Sequence, residues 1–290
     1  MGAARVGERG EDWDWATPAT GQLPPEVDTT KPSIARVYDW FLGGKDNFAV
    51  DRHVAEMALQ IAPGAPEAGR QNRLFLQRAV HHMAAEAGVR QFLDIGSGLP
   101  TQGNVHQVAQ RVDPAARVVY VDNDPMVLAH GRALLATNGS TTVIQADARE
   151  PRSILDHPQV REFIDFSEPV GLLMLSILHH LNDEEDPAGV AATLRAPLTS
   201  GSFVAVSHFC NPGDAAPESA QQAATAEKVF NENLGTGRWR SNDEIKEYFG
   251  DFELLEPGLV PLAGWRIEPS PEVRGSVLYP TYVGGVARKA

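Results

Sequence analysis

Residues 91 to 98 read QFLDIGSG, and within them Asp94, Gly96, Ser97 and Gly98 are the types that bind rather than pack. An apolar run that meets a carboxylate and then two glycines around a serine is the pattern of a buried strand entering a tight turn, where backbone comes close to a ligand. The stretch from Gln102 to Val112 follows with Val105, Val108, Ala109 and Val112 on one helical face. Strand, turn and helix together offer free N–H groups to a polar ligand in the crevice at the strand's carboxyl end. The turn is a weak match to the dinucleotide fingerprint, because Thr101 stands where its third glycine belongs and Pro100 removes a donor. A ligand without pyrophosphate fits better. Two further carboxylates close later strands: Asp122 ends RVVYVD, where it can accept from both hydroxyls of a ribose, and Asp147 ends VIQAD with Ala148 behind it. Strand-end histidines supply candidates for proton transfer. His179 and His180 follow the fourth apolar run and His208 ends the fifth. His179 is the first choice as base, with Asp183 to orient it; the alternative is that one histidine packs while the other caps the next helix through Asn182 and Asp183.

Hydrophobic patterning places strands at about 91 to 95, 117 to 122, 141 to 145, 170 to 176 and 202 to 208, with helices between them at about 103 to 112, 125 to 136, 150 to 156 and 187 to 197. That alternation predicts an α/β fold, a doubly wound and mostly parallel sheet covered on both faces. Residues 217 to 232 and 242 to 249 read as helices, the second capped by Ser241, and 252 to 255 with 281 to 286 read as two last strands. Before the first strand, three amphipathic stretches (Ile34 to Leu42, Val50 to Ile61, Glu67 to Ala87) predict a helical cap over residues 31 to 88, leaving 89 to 290 as the ligand-binding domain. Residues 1 to 30 mix Gly, Pro and acidic residues without period around Trp13 and Trp15, and read as a disordered or loosely docked tail.

Over 290 residues the formal net charge is -13, which argues against a protein that works by neutralising nucleic-acid phosphates. Cys210 is the single cysteine, so no internal disulfide can form and a reducing compartment is expected. Apolar runs such as Val170 to Leu178 fall well short of the ~20 residues that span a bilayer, and acidic residues interrupt the N-terminus where a signal peptide would be apolar. A cytoplasmic protein without membrane or nucleic-acid partners is expected. The histidines lack a ligand spacing with carboxylates, so no metal is expected either.

Taken as a set, Asp94, Gly96, Gly98, Asp122 and Asp147 resemble the site of class I S-adenosylmethionine-dependent methyltransferases, in which an acid or backbone amide at the third strand's end meets the adenine edge. More specific is SIARVYDWFLGGKDNF, residues 33 to 48, which resembles the N-terminal signature of an actinobacterial methyltransferase family formerly catalogued as a domain of unknown function. Residues 72 to 76 (NRLFL), Pro100-Thr101 with Asn104-Val105-His106, 120 to 125 (YVDNDP) and 178 to 181 (LHHL) match it in the same order. Trp40 stands where such sequences often carry another aromatic. The resemblance implies a seven-stranded Rossmann-like enzyme that holds S-adenosylmethionine across Asp94, Gly96, Ser97, Gly98, Asp122, Asn123, Asp147, Ala148, Ser176 and Ile177. It implies O- or N-methylation of a small-molecule acceptor, and it leaves a homodimer open. Residues 36 to 48 are expected to form a lid, with Tyr38 and Asn47 on cofactor or acceptor and Gly44 allowing close backbone approach. Arg36, with Lys45, Arg52, Arg70 and Arg73, could face an anionic acceptor. Two other readings stay open: a nicotinamide-dependent oxidoreductase using the same turn and Asp122, or a regulatory protein that binds S-adenosylmethionine without turnover.

Overall fold

The computed structural model describes residues 26 to 100, 103 to 135 and 139 to 290. At its centre is an eight-stranded sheet of order β3-β2-β1-β4-β5-β8-β6, with β7 paired to β8 off that path. β1 (Gln91–Ile95), β2 (Arg117–Asp122), β3 (Thr141–Gln145), β4 (Gly171–Leu175) and β5 (Phe203–Phe209) run parallel. β8 (Tyr282–Arg288) lies antiparallel beside β5 and carries the two-residue strands β6 (Glu253–Leu254) and β7 (Val260–Pro261). The seven expected strands are thus joined by an eighth, Val260–Pro261, in the stretch between the two strands expected last.

All five residues of β1 and of β4 are buried, as a strand covered on both faces requires. Alternate side chains serve opposite layers: Leu93, Ile95, Leu172 and Met174 belong to one core, Phe92, Leu173 and Leu175 to the other. β1 sits between β2 and β4, so the chain winds outward one way through β2 and β3 and the other way through β4 and β5. The crevice beyond the carboxyl ends of β1 and β4 is therefore the topological switch point, where open α/β sheets bind ligands.

The three N-terminal helices, α1 (Ile34–Phe41), α2 (Ala49–Ile61) and α3 (Ala65–His81), divide between two roles. Phe75, Leu76, Ala79 and Val80 of α3, with Met83 in the π-helical turn His82–Glu86 that extends it, are built into the sheet's core. α1 and α2 instead form a small cluster of their own around Val37, Phe41, Val54, Ala55 and Ala58, joined by Phe230 and Leu234 of the later helix Pro217–Leu234. The helices after the first strand are α4 (Val105–Val112), α5 (Pro125–Leu135), α6 (Pro151–Leu155), α7 (Pro158–Phe163), α8 (Pro187–Arg195), α9 (Pro217–Leu234), α10 (Asn242–Glu247) and α11 (Pro271–Arg274). The short α7 is absent from the sequence reading, since His157-Pro158 reads equally as a turn; here the His157 ring accepts from the Gln159 N–H at 3.2 Å and Val160 is buried.

Between β7 and β8 the chain is fastened to α3 by Trp265, which is fully buried and meets Phe75 edge to face at 5.4 Å. The Arg78 guanidinium donates to the carbonyls of Leu262 and Trp265 at 2.7 and 3.0 Å. Removing an indole of this burial leaves a cavity and the loss of its contacts. Trp265→Ala is expected to lower stability by about 3 to 5 kcal/mol in urea unfolding; a change below about 1 kcal/mol would show that the loop is not anchored there.

Candidate functional site

Gly96 and Gly98, which follow β1, take positive φ angles of 69° and 67°. A Cβ on Gly96 would lie 2.7 Å from the Ile177 side chain, so only glycine lets the turn pass the loop after β4. The turn is tied to the end of β2: Asp122 accepts from the Gly98 N–H at 2.8 Å and from the Asp124 N–H at 2.9 Å. Burial pushes the Asp122 carboxyl up to about 6 against those two donors, with Asp124 adding to the rise. Burial also pushes Asp94 up to about 7, opposed by the Arg73 guanidinium and reinforced by Asp122. Asp147 differs. Its carboxylate is held by Arg149 at 2.5 Å, which keeps it below the usual range, and Arg149 also binds Glu185 at 3.0 Å.

The N-terminal elements reach this crevice through two buried polar clusters. In the first, Arg36 bridges Asp51 at 3.0 Å and Asp124 at 3.5 Å, donates to the carbonyls of Asp28 and Lys31, and is joined by a short Ser33–Asp124 contact. Arg36 thus lines the cavity as a fastener, already paired rather than free for an anion. In the second, the Asn72 amide donates to Ser176 Oγ at 2.7 Å and to the Tyr38 hydroxyl at 3.1 Å, and accepts from Ser207 Oγ at 2.7 Å. Tyr38 donates on to the Gly69 carbonyl at 3.0 Å, and Ser176, at a left-handed φ of 59°, also meets the Tyr282 hydroxyl. Gly44 and Asn47 are not brought to the cavity. Asn47 bonds Asp39 and the Gly44 carbonyl, and Gly44 is glycine because a Cβ would collide with Asp39 at 1.9 Å. The segment GGKDN therefore builds its own turn around Asp39. Glu26, Val27 and Asp28, which by sequence belong to the expected tail, line the cavity with Lys31, Pro32 and Ser33, and Val27 packs with Leu99 and Met126. Trp13 and Trp15 lie outside the described residues.

The three histidines are neighbours, with the His179 ring 4.4 Å from His180 and 5.3 Å from His208, but their hydrogen bonding differs. His208 is fully buried outside the cavity: its Nδ1 donates to the Phe209 carbonyl at 2.6 Å, and its Nε2 faces Arg240 at 3.3 Å. Asp183 is drawn away from His179 by Arg240, which it accepts at 2.7 Å, and stands 74% exposed. Neither takes part in the arrangement expected from the sequence. His179 lines the cavity, stacked on Phe209 at 3.7 Å, and its Nδ1 accepts from the Phe209 N–H at 3.2 Å. Its proton therefore sits on Nε2, a buried donor with no partner. His180, beside it in the cavity wall, has an unpartnered buried Nδ1, and burial pushes its pKa down to about 3.

These groups line one cavity of about 650 Å³, within the size range of small-molecule sites. Asp94, Gly96, Ser97, Gly98, Asp122, Asn123, Asp147 and Ala148 line its polar end, and Ser176 and Ile177 its middle. The profile of the S-adenosyl methyltransferase family matches residues 20 to 290. The chain belongs to that family. A solved structure from Thermobifida fusca YX is 48% identical, with a TM-score of 0.85 over 92% of this chain and 98% of the other. A DUF574 family protein from Streptomyces avermitilis MA-4680 is 38% identical, with a TM-score of 0.83 over 91% and 99%. An O-methyltransferase family protein from Burkholderia thailandensis, 14% identical with a TM-score of 0.51 over 90% of this chain and 64% of the other, shares the fold alone. No curated protein matches. The fold is that of class I methyltransferases, and S-adenosylmethionine is the cofactor.

The cavity's residues fit that molecule. Its zwitterionic aminoacyl end needs an anion and a cation, and Asp94 lies near Arg73, whose Nε is buried without a partner. By sequence Arg73 belongs to a diffuse set of cap cations and to the segment NRLFL that carries the family resemblance, and neither gives it a ligand to bind. Among the described residues no helix is long and apolar enough to cross a membrane.

Because Asp94 rises from 3.8 unfolded to about 7 folded, it binds its proton more tightly in the native state and opposes folding increasingly as pH rises through that window. The melting temperature of the ligand-free protein is expected to gain at about pH 8 on substituting Asp94→Asn, and to change little at about pH 4. Equal shifts at both pH values would remove Asp94 as a source of strain.

Proposed function

We propose that this chain methylates an oxygen or nitrogen of a small molecule held in the same cavity as its cofactor. The observation that carries the reading is the continuity of that cavity, which runs from Asp94 and Asp122 at the strand tips to Phe230 and Trp239 at its apolar end. In this reading Asp122 accepts from ribose hydroxyls, Asn123, Asp147 and Ala148 border the adenine, and Gly96, Ser97 and Gly98 allow close backbone approach. Arg73 and Asp94 hold the carboxylate and ammonium of the aminoacyl group, with Ser176 and Ile177 beside it. S-adenosylmethionine, when bound, supplies a methyl group on a positively charged sulfur.

Methyl transfer is an in-line displacement, so alignment of the two reactants supplies much of the acceleration. A base is required when the acceptor is a hydroxyl or a protonated amine. His179 has its Nδ1 lone pair committed to the Phe209 N–H and offers only a donor at Nε2. Among the described residues the His180 ring has no hydrogen-bond partner at its buried Nδ1, so in this reading His180 is the proton acceptor and His179 orients the acceptor through Nε2.

Calorimetry tests the cofactor half. Arg73→Met and Asp122→Asn are each expected to weaken S-adenosylmethionine binding by about tenfold or more, as loss of a charge-assisted hydrogen bond does; unchanged affinity in both would defeat the assignment. The acceptor half is tested by incubating the protein and methyl-labelled cofactor with a cell extract. Label is expected in the low-molecular-mass fraction, and label confined to protein or nucleic acid would overturn the small-molecule reading.

A further inference from the structure

We infer that the apolar end of the cavity takes an uncharged, planar aromatic molecule bearing a hydroxyl, its ring among Phe209, Phe230 and Trp239 and its hydroxyl at His180. The inference rests on the methyltransferase reading above and adds the chemical class of the acceptor.

The shape of this end is set by rings already stacked on one another. Trp239 lies parallel to Phe209 at 4.3 Å and 13°, and Phe209 lies parallel to His179 at 3.7 Å and 15°. Phe230 stands edge-on to this stack, at 83° to Trp239 and 85° to Phe209. Phe209 is covered by His179 and Trp239, so the corner left for a flat ring is that of Trp239 and Phe230, whose planes meet near a right angle and allow one stacked and one edge contact, the geometries aromatic pairs favour. Ala58, Ile61, Ala62 and Leu234 line the same end and present no polar atoms of their own side chains.

Charge argues against an ionised acceptor. The acids and bases that line the cavity belong to residues 26 to 36, to the strand tips and the loops after them, or to Arg73 on α3. Arg36 and Arg149 are already paired with carboxylates. No charged side chain among the described lining residues comes from α2 or α9. A carboxylate or ammonium placed against those helices would be buried without a counter-ion, at a cost of several kcal/mol.

What this end does carry is neutral hydrogen-bonding capacity. Gln222, on α9, donates through Nε2 to the Ile61 carbonyl at 2.8 Å, and its Oε1 is buried with no partner. His179 Nε2 and His180 Nδ1 are buried without partners as well. Gln222 Oε1 can only accept, His179 Nε2 can only donate, and His180 has one nitrogen of each kind. A ligand with polar atoms on an otherwise flat apolar frame satisfies them, and a ring hydroxyl both donates and accepts. In the step itself the acceptor oxygen bonds to the methyl carbon, the carbon–sulfur bond breaks with its electron pair left on sulfur, and the hydroxyl proton passes to the free nitrogen of His180. Burial holds the His180 imidazole far below its ordinary value, so it passes that proton on to solvent and the positive charge leaves the cavity with it.

The test uses the full chain saturated with S-adenosylhomocysteine, titrated with 2-naphthol, naphthalene and 6-hydroxy-2-naphthoate, followed by turnover of 2-naphthol with labelled S-adenosylmethionine. We expect 2-naphthol to bind about tenfold or more tightly than the naphthoate, tighter than naphthalene, and to be methylated on oxygen. Trp239→Ala should weaken naphthol binding about tenfold while S-adenosylhomocysteine binding stays within about twofold; Phe230→Leu, a milder change, gives the same readout should the first variant fold poorly. His180→Gln should lower kcat about a hundredfold while weakening naphthol binding by no more than about threefold, because the amide still accepts from the hydroxyl. If S-adenosylhomocysteine binds but the naphthoate binds as well as naphthol, or if both ring variants bind naphthol as wild type does, the acceptor class is wrong and the methyltransferase reading stands. If S-adenosylhomocysteine itself does not bind, both fall.

Discussion

The Asn72 amide is the contact on which the site depends. Buried and unable to move without orphaning its partners, it joins α3 to Ser176 after β4 and to Ser207 in β5, and through Tyr38 it reaches α1. Each of those groups is buried or partly so, and an unpaired polar atom in such a place costs about 1 to 3 kcal/mol. The network therefore has one low-energy arrangement. It fixes the N-terminal helices against the switch point of the sheet, and the left-handed Ser176 is held from both sides. Only with that register set does the loop after β4 place Ile177 against Gly96 and the two histidines in the cavity wall.

Electrostatics divides the cavity along its length. At the strand tips burial raises Asp94 to about 7 and Asp122 to about 6 while Arg149 holds Asp147 below its ordinary value, so three similar carboxylates part with their protons over different ranges of pH. A cationic ligand would draw the first two back into ionised form and recover part of the cost of their burial. At the other end the histidines are kept neutral by desolvation, so hydrogen bonding and ring contact are the forces left to recognise a ligand there.

The β1 turn and the strand tips were legible in the sequence because their signal is local. QFLDIGSG, RVVYVD and VIQAD each carry an apolar run and a terminal acid within a few residues, and the parallel sheet does the rest. The roles of the histidines were not legible, because they are decided by a backbone N–H on a neighbouring strand and by Arg240, far along the chain. Asn47 and Gly44 look like ligand contacts in the sequence, yet their polar partners lie within the same short segment, where Asp39 absorbs them. Gln222 and Trp239 carry no signal in the sequence: one sits in an ordinary helical pattern and reaches the cavity through the packing of α9 on α2, the other sits in a loop and is placed by its stack on Phe209 and by Glu227.

Because the polar end is built from strand tips and the apolar end from α2, α9 and the segment around Trp239, the two ends share few side chains. On the proposed reading, change in the helices alters which acceptors fit while the strand-tip contacts to the methyl donor stay as they are. The architecture thus separates what a lineage of such proteins must keep from what it is free to vary, and diversification of chemistry along the lineage needs no change at the glycine turn.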